Sequence, residues 1–255
     1  HAMTDELGTP GETFWEAHYR GASGSTSGRP TSALVRFARD REPGRALDLG
    51  CARGDDVVWL ALQGWHATGA DVSATALDHA RANARRADVA SRTTFERHDL
   101  SHSLPDGPFD LVCAMFLHSP VELPRGDVLR RAAATLAPGG LLLWVTHASS
   151  APWSWSDPDT VWPTPEEELD AVGLRMDDWT RVTLEAVQRE ATGPGGATAT
   201  VTDNVVAAAD ISCPTVLADS NADNGENQRV FSSRSAGFVF EERGKQICHY
   251  KGPYA

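Results

Sequence analysis

From Arg45 onward the chain alternates short apolar runs with amphipathic stretches, and this alternation predicts strands and helices in turn. RALDLG predicts a first strand, and DDVVWLALQGW a helix with Val58, Leu60, Ala61 and Leu62 on its buried face. HATGADVS predicts a second strand, followed by the Ala/Arg-rich helix ATALDHARANARRAD. TTFERHDL and FDLVCAMFLH predict strands three and four. The latter is nearly all apolar, as expected of a parallel strand covered on both faces. RGDVLRRAAATLAPGG reads as a helix stopped by Pro138, Gly139 and Gly140, before a fifth strand, LLLWVTHA.

The pattern then changes. In WPTPEEELDAVG, Thr164 is placed as an N-cap, Pro165 at the first helical position and Glu167 to close a capping box. WTRVTLEAVQRE and ATATVTDNVVAAA follow, joined through ATGPGG as an antiparallel hairpin suits. These elements predict an α/β protein with a doubly wound, mostly parallel sheet that ends in an antiparallel hairpin. Beyond about residue 211 the Ala-rich body gives way to a polar stretch with Asn221, Asn224 and Asn227 close together. Residues 211–255 are therefore read as a polar linker with a small β extension, in which RVFSS, GFVFEE and QICHY are strand-like.

Composition narrows the function classes. A formal net charge of −12 opposes a general nucleic-acid binder, which shows a basic footprint. No apolar run approaches the roughly 18 residues of a membrane span. The opening His-Ala-Met reads as a cloning scar, so residues 1–10 are set aside as a flexible start. Cys51, Cys113, Cys213 and Cys248 form no zinc-like spacing, and a reducing cytoplasm is the expected setting.

The chemistry centres on residues 45–56, RALDLGCARGDD. A dinucleotide fingerprint needs a third glycine where Asp55 stands, and a P-loop needs Lys and Ser/Thr where Asp55 and Asp56 follow Gly54. Acids on both sides of the turn would repel phosphate, so the ligand expected here is neutral or cationic. The stretch resembles motif I of the class I S-adenosylmethionine methyltransferases, an acid followed by G-x-G-x-G, here Asp48 and Gly50-Cys51-Ala52-Arg53-Gly54. Alanine in place of the middle glycine is tolerable if its φ stays negative. Asp71 ends the second strand where a carboxylate can accept both ribose hydroxyls, with Val72 beside it. Asp99-Leu100 resembles the family's adenine-binding step, and LAPGGLLLW its turn into strand five.

The resemblance spans roughly residues 11–210 and implies a Rossmann-like fold with S-adenosylmethionine as cofactor. FWEAHYR, FLHSPVELPR and TPEEEL look like compact bacterial methyltransferases of the tellurite-resistance and thiopurine type, which implies a small sulfur, oxygen or nitrogen acceptor. Trp15 and Tyr19 lie in a segment that folds over the cofactor in such enzymes, and Arg29 is placed to reach the methionyl carboxylate. His118 and His147 end strands four and five. His118, with an ordinary pKa of about 6.5, is the first candidate for a base or for positioning the acceptor. His147 reads as structural or pocket-lining, and two histidines lacking a third ligand call for no metal. Trp153, Trp155 and Trp162 could wall an acceptor pocket, or merely anchor a loop. Two alternatives stay open: cofactor binding without methyl transfer, and methylation of a peptide, including the chain's own tail. Assembly state is left open.

Overall fold

The computed structural model describes residues 8–154, 157 and 159–212, and the backbone of 237–240 and 248–251. Trp155, RVFSS, the stretch 213–236 and the last four residues lie outside the described residues.

Seven strands form one sheet in the order β3-β2-β1-β4-β5-β7-β6. Strands β1 (Arg45–Leu49), β2 (His66–Asp71), β3 (Thr93–Arg97), β4 (Phe109–Met115) and β5 (Leu136–His147) run parallel. Strands β6 (Trp179–Thr192) and β7 (Thr198–Asp210) form the expected hairpin, with β7 antiparallel against β5 and β6 at the edge. Two short strands, β8 (Gly237–Phe240) in GFVFEE and β9 (Cys248–Lys251) starting in QICHY and ending one residue beyond it, pair antiparallel.

Helices cover both faces. They are α1 (Pro10–Gly21), α2 (Ser32–Ala38), α3 (Asp55–Leu62), α4 (Ala74–Arg86), α5 (Arg125–Ala133) and α6 (Pro165–Val172). One apolar layer gathers Leu34, Trp65, Leu77 and Leu143, and the other Phe109, Leu129, Trp144 and Leu169. The chain leaves β1 toward β2 and β3, then returns to place β4 on the other side of β1. The carboxyl ends of β1 and β4 therefore flank the crevice where open α/β sheets bind ligands.

Two sequence expectations are corrected. On α3 the buried residues are Val57, Leu60 and Ala61, whereas Leu62 is 56% exposed and Val58 only half-buried. Spacing of three and four from Val57 sets that face, and Leu62 falls just past it. Pro138-Gly139-Gly140 does not stop a helix. Helix α5 ends at Ala133, and the three residues lie inside β5, where its register against β4 slips between the pairs Phe109–Leu136 and Leu111–Leu141. Gly139, at φ +81°, supplies the left-handed turn of that bulge.

Helix α6 shows the full capping box. The Thr164 side chain accepts from the Glu167 amide, and the Glu167 carboxylate accepts from the Thr164 amide. Replacing Thr164 by Ala should cost about 1 kcal/mol and lower the melting temperature by roughly 2–4 °C. An unchanged melting curve would show that this cap adds nothing to stability.

Candidate functional site: a crevice at the heads of β1 and β4

The loop after β1 turns because three alternate positions take left-handed backbone: Gly50 (φ +72°), Ala52 (φ +49°) and Gly54 (φ +79°). The negative φ expected for Ala52 is not found. Its left-handed turn points the Ala52 N–H at Asp71, whose Oδ2 accepts it at 3.0 Å. Gly54 is needed twice over, since a Cβ there would come within 2.9 Å of the Ala80 Cβ.

Asp71 ends β2 and is 7% exposed. Its Oδ1 accepts the Ser73 N–H at 2.9 Å, so each oxygen holds one backbone bond and keeps a second lone pair. Burial raises its pKa, while the Ser73 and Ala52 amides act in the opposite sense. Asp99 lies after β3. Burial would raise its pKa too, but the Thr9 hydroxyl at 2.8 Å, the Ser101 amide at 3.0 Å and His102 at 3.2 Å prevail and hold it low.

Gly50, Ala52, Asp71, Val72, Asp99 and Leu100 line one cavity of about 470 Å³, within the range of small-molecule sites. Its remaining wall comes from Trp15 and Tyr19 of α1 and from the segment after β4, notably Met115, Phe116 and Leu117. A second cavity of about 220 Å³ on the far side of the loop is lined by Asp48, Arg29, Arg53 and Gly50 among others. Asp48 is buried, and its contact from the Cys113 thiol, at 3.6 Å, is a weak one. Burial and the nearby Asp56 and Asp71 push its pKa well up. Arg53 stacks over the Tyr19 ring at 5.2 Å, and its buried Nε has no hydrogen-bond partner among the described residues.

The acids behind the loop do not face the larger cavity. Thr26 and Ser27 both donate to Asp55. The Thr31 amide and hydroxyl donate to Asp56 at 2.6 and 2.8 Å. These bonds strap residues 26–31 across the loop and bring exposed Arg29 to the second cavity.

Helix α1 is latched on one side by Glu16. Ser73 Oγ (2.7 Å), Thr75 Oγ1 (2.6 Å), the Thr75 amide and Arg20 all donate to its carboxylate. Burial opposes the charge, yet these bonds bring its pKa down to about 2. Trp15 Nε1 donates to Ser119 Oγ at 3.2 Å on the other side. Sequence reasoning missed Glu16 and Thr9. The run T-P-G-E carried the signal for Thr9, which caps α1 ahead of Pro10.

Beyond Phe116 stands an aromatic stack. His147 lies between Phe116, at 4.7 Å, and His118, at 4.9 Å and 8° from coplanar, with Trp162 edge-on at 6.3 Å. His118 Nε2 accepts the His147 N–H, and Arg125, paired with buried Glu168 at 2.7 Å, approaches His118 Nδ1 at 3.2 Å. Burial first, then Arg125 and His147, lower the His118 pKa to about 4 against an opposing pull from Asp203. Trp153 sits against Gly193 in the β6–β7 turn, away from the larger cavity.

Residues 46–140 match a family model described as a methyltransferase domain. The chain is 36% identical over 117 residues to 27-O-demethylrifamycin SV methyltransferase of Amycolatopsis mediterranei (strain S699), a match covering 45% of this chain and 42% of that one. Other matches over similar lengths are named as methyltransferases of ribosomal protein L11 and of small-subunit ribosomal RNA. The chain spans about two fifths of the length of the curated relatives it matches. Among solved structures, one described as the conversion of a disulfide bond into a thioacetal group during echinomycin biosynthesis superposes with a TM-score of 0.60 at 22% identity, covering 78% of this chain and 92% of that one. TehB from Haemophilus influenzae gives 0.57 at 16% identity, covering 76% and 66%. At these identities the superpositions show the fold.

Residues 46–140 therefore carry a methyltransferase-domain match, set within a doubly wound, mostly parallel sheet.

Two outcomes are expected from this geometry. Ala52→Gly removes a left-handed alanine and should stabilise the fold by about 0.5–1 kcal/mol, after the extra freedom glycine gains when unfolded. A lower melting temperature would contradict it. His118, with its folded pKa near 4 and an ordinary value of 6.5, makes the unfolded chain bind the extra proton between those values. Stability should therefore rise with pH across that window, and His118→Gln should flatten the rise in paired melts at pH 5 and 7. An equal slope in the variant would contradict it.

Proposed function

We propose that the chain transfers a methyl group from S-adenosylmethionine to a small-molecule acceptor, through one domain over residues 11–210 to which 211–255 is an extension. The observation that carries this is the buried Asp71 carboxylate, which keeps a free lone pair on each oxygen at the wall of the larger cavity. Two ribose hydroxyls fit those lone pairs, and Val72 flanks the sugar. Asp99 and Leu100 suit the adenine edge. The backbone of Gly50, Ala52 and Gly54 allows close approach of the methionyl part. Arg29 and the unpartnered Arg53 Nε suit its carboxylate, and Asp48 its ammonium.

When bound, the cofactor supplies a methyl carbon already activated by a positive sulfur. The chain's own work is to orient the acceptor and exclude water, which can supply about 7–11 kcal/mol in favourable cases. Trp15 and Tyr19 roof the cavity with aromatic faces suited to a cation. His118, neutral and flanked by donors, is assigned to the acceptor wall, the positioning role rather than the base role of the two expected from sequence. His147 belongs to the acceptor side, with Trp162 edge-on to it. The net charge of −12 weighs against an RNA acceptor. Among the described residues no helix is long and apolar enough to cross a membrane. The free, buried Cys51 and Cys113 suit a reducing cytoplasm.

Calorimetry should give binding of both S-adenosylmethionine and its demethylated product. Asp71→Ala should weaken both by about 10–100-fold, the scale of hydrogen bonds to a charged group, and Asp71→Asn by less. Unchanged affinity in Asp71→Ala would contradict the site.

A further inference from the structure

Asp203, on β7, stands directly across from His147 in the strand register. It is 4% exposed, and its Oδ1 lies 3.2 Å from His147 Nδ1. Arg189 Nε donates to its other oxygen. Both carboxylate oxygens are therefore engaged, and the carboxylate sits in a fixed place. The His147 side chain is 39% exposed, and its Nε2 forms no hydrogen bond with any described residue. Of the two histidines at the strand heads, His118 has both ring nitrogens facing donors, whereas His147 has one nitrogen anchored and one open.

Resting on the methyl-transfer function above, we propose that His147 is the general base of this site, that Asp203 is its positioning residue, and that the acceptor is a neutral hydroxyl, a phenol or an alcohol. An Nδ1–H donated to Asp203 fixes the tautomer and leaves a lone pair on Nε2. The acceptor O–H donates to that lone pair. As the oxygen attacks, a C–O bond to the methyl carbon forms and the C–S bond breaks, its electron pair staying on sulfur. The acceptor proton ends on Nε2, and the resulting imidazolium is neutralised by Asp203 before it loses the proton to water.

Phe116 connects the two halves of the site, since one ring both lines the cofactor cavity and stacks on His147. The charged surroundings select the acceptor. Arg189 lies over the Phe116 ring at 5.4 Å and Arg125 approaches His118, so guanidinium groups flank the stack from two sides. An ammonium acceptor would set its positive charge beside the sulfonium, with the Asp203 and Glu168 carboxylates already paired to Arg189 and Arg125. A thiol, partly ionised near neutral pH, has little need of a base. A neutral hydroxyl needs the base and brings no charge. The titratable or charged groups facing His147 are His118 after β4, Asp203 on β7 and, through Asp203, Arg189 on β6.

The test uses the full chain, with S-adenosylmethionine affinity read by calorimetry beside turnover on graded phenols, alcohols and thiols. His147→Gln should lower kcat on hydroxyl acceptors by about 10²–10⁴-fold, abolish the rise of kcat with pH, and leave cofactor affinity within about twofold. Asp203→Asn should lower kcat less and displace that pH limb. Without any cofactor, nitrogen-15 NMR should show His147 as the Nδ1–H tautomer, a preference lost in Asp203→Asn. Hydroxyl turnover retained in His147→Gln with intact cofactor affinity, or an Nε2–H tautomer in the wild type, would overturn the assignment. A wild-type chain that binds no S-adenosylmethionine would instead overturn the methyltransferase function on which it rests.

Discussion

Asp71 ties the crevice together. Its carboxylate accepts the amide of Ala52 from the loop after β1 and the amide of Ser73 at the start of α4. One buried side chain thus sets the shape of the loop and the first turn of the following helix. Ser73 in turn caps α4 and donates to Glu16, which carries the order outward to α1. A carboxylate is suited to this place because its four lone-pair sites serve two backbone amides and leave two for a ligand. Its cost is desolvation, visible in the raised pKa, and a ligand that donates to the free sites would offset it.

The acids around the loop divide into two groups. Asp55, Asp56 and Glu16 are consumed by the protein, holding residues 26–31 and α1 in place by hydrogen bonds to Thr26, Thr31, Ser73 and Thr75. Asp48 and Asp71 carry no such strap and line the cavities with Asp99, while Asp55 and Asp56 reach only the wall of the smaller one. A turn that looks uniformly acidic in sequence is therefore partly scaffold and partly ligand-facing. Hydroxyls and amides match several of these carboxylates, and ion pairs of Glu12 with Arg97 and of Arg36 with Glu185 tie α1 and α2 to distant parts of the chain.

Much of the sheet was legible because its signals are local. The apolar run of β4, the N-cap and box of α6 and the Gly-containing joint between β6 and β7 each carry their instruction in a few adjacent residues. Pro138-Gly139-Gly140 misled because the same residues that end a helix also make a bulge, and only pairing with β4 decides between them. Ala52 defeated the rule that alanine keeps φ negative, since the bond to Asp71, nineteen positions away, rewards the left-handed turn. The acceptor side was least legible. Asp203 lies 56 positions from His147, and only the strand register brings the two together. Likewise, nothing local marks His118 as half-buried, or Glu168 as the partner of the Arg125 beside it.

The most direct measurement is a crystal structure with S-adenosylhomocysteine bound. Its ribose hydroxyls should lie within hydrogen-bond distance of both Asp71 oxygens, with adenine beside Leu100 and the sulfur beneath Trp15 and Tyr19. A ligand found away from the heads of β1 and β4, or turned so that Asp71 meets no hydroxyl, would contradict the central assignment.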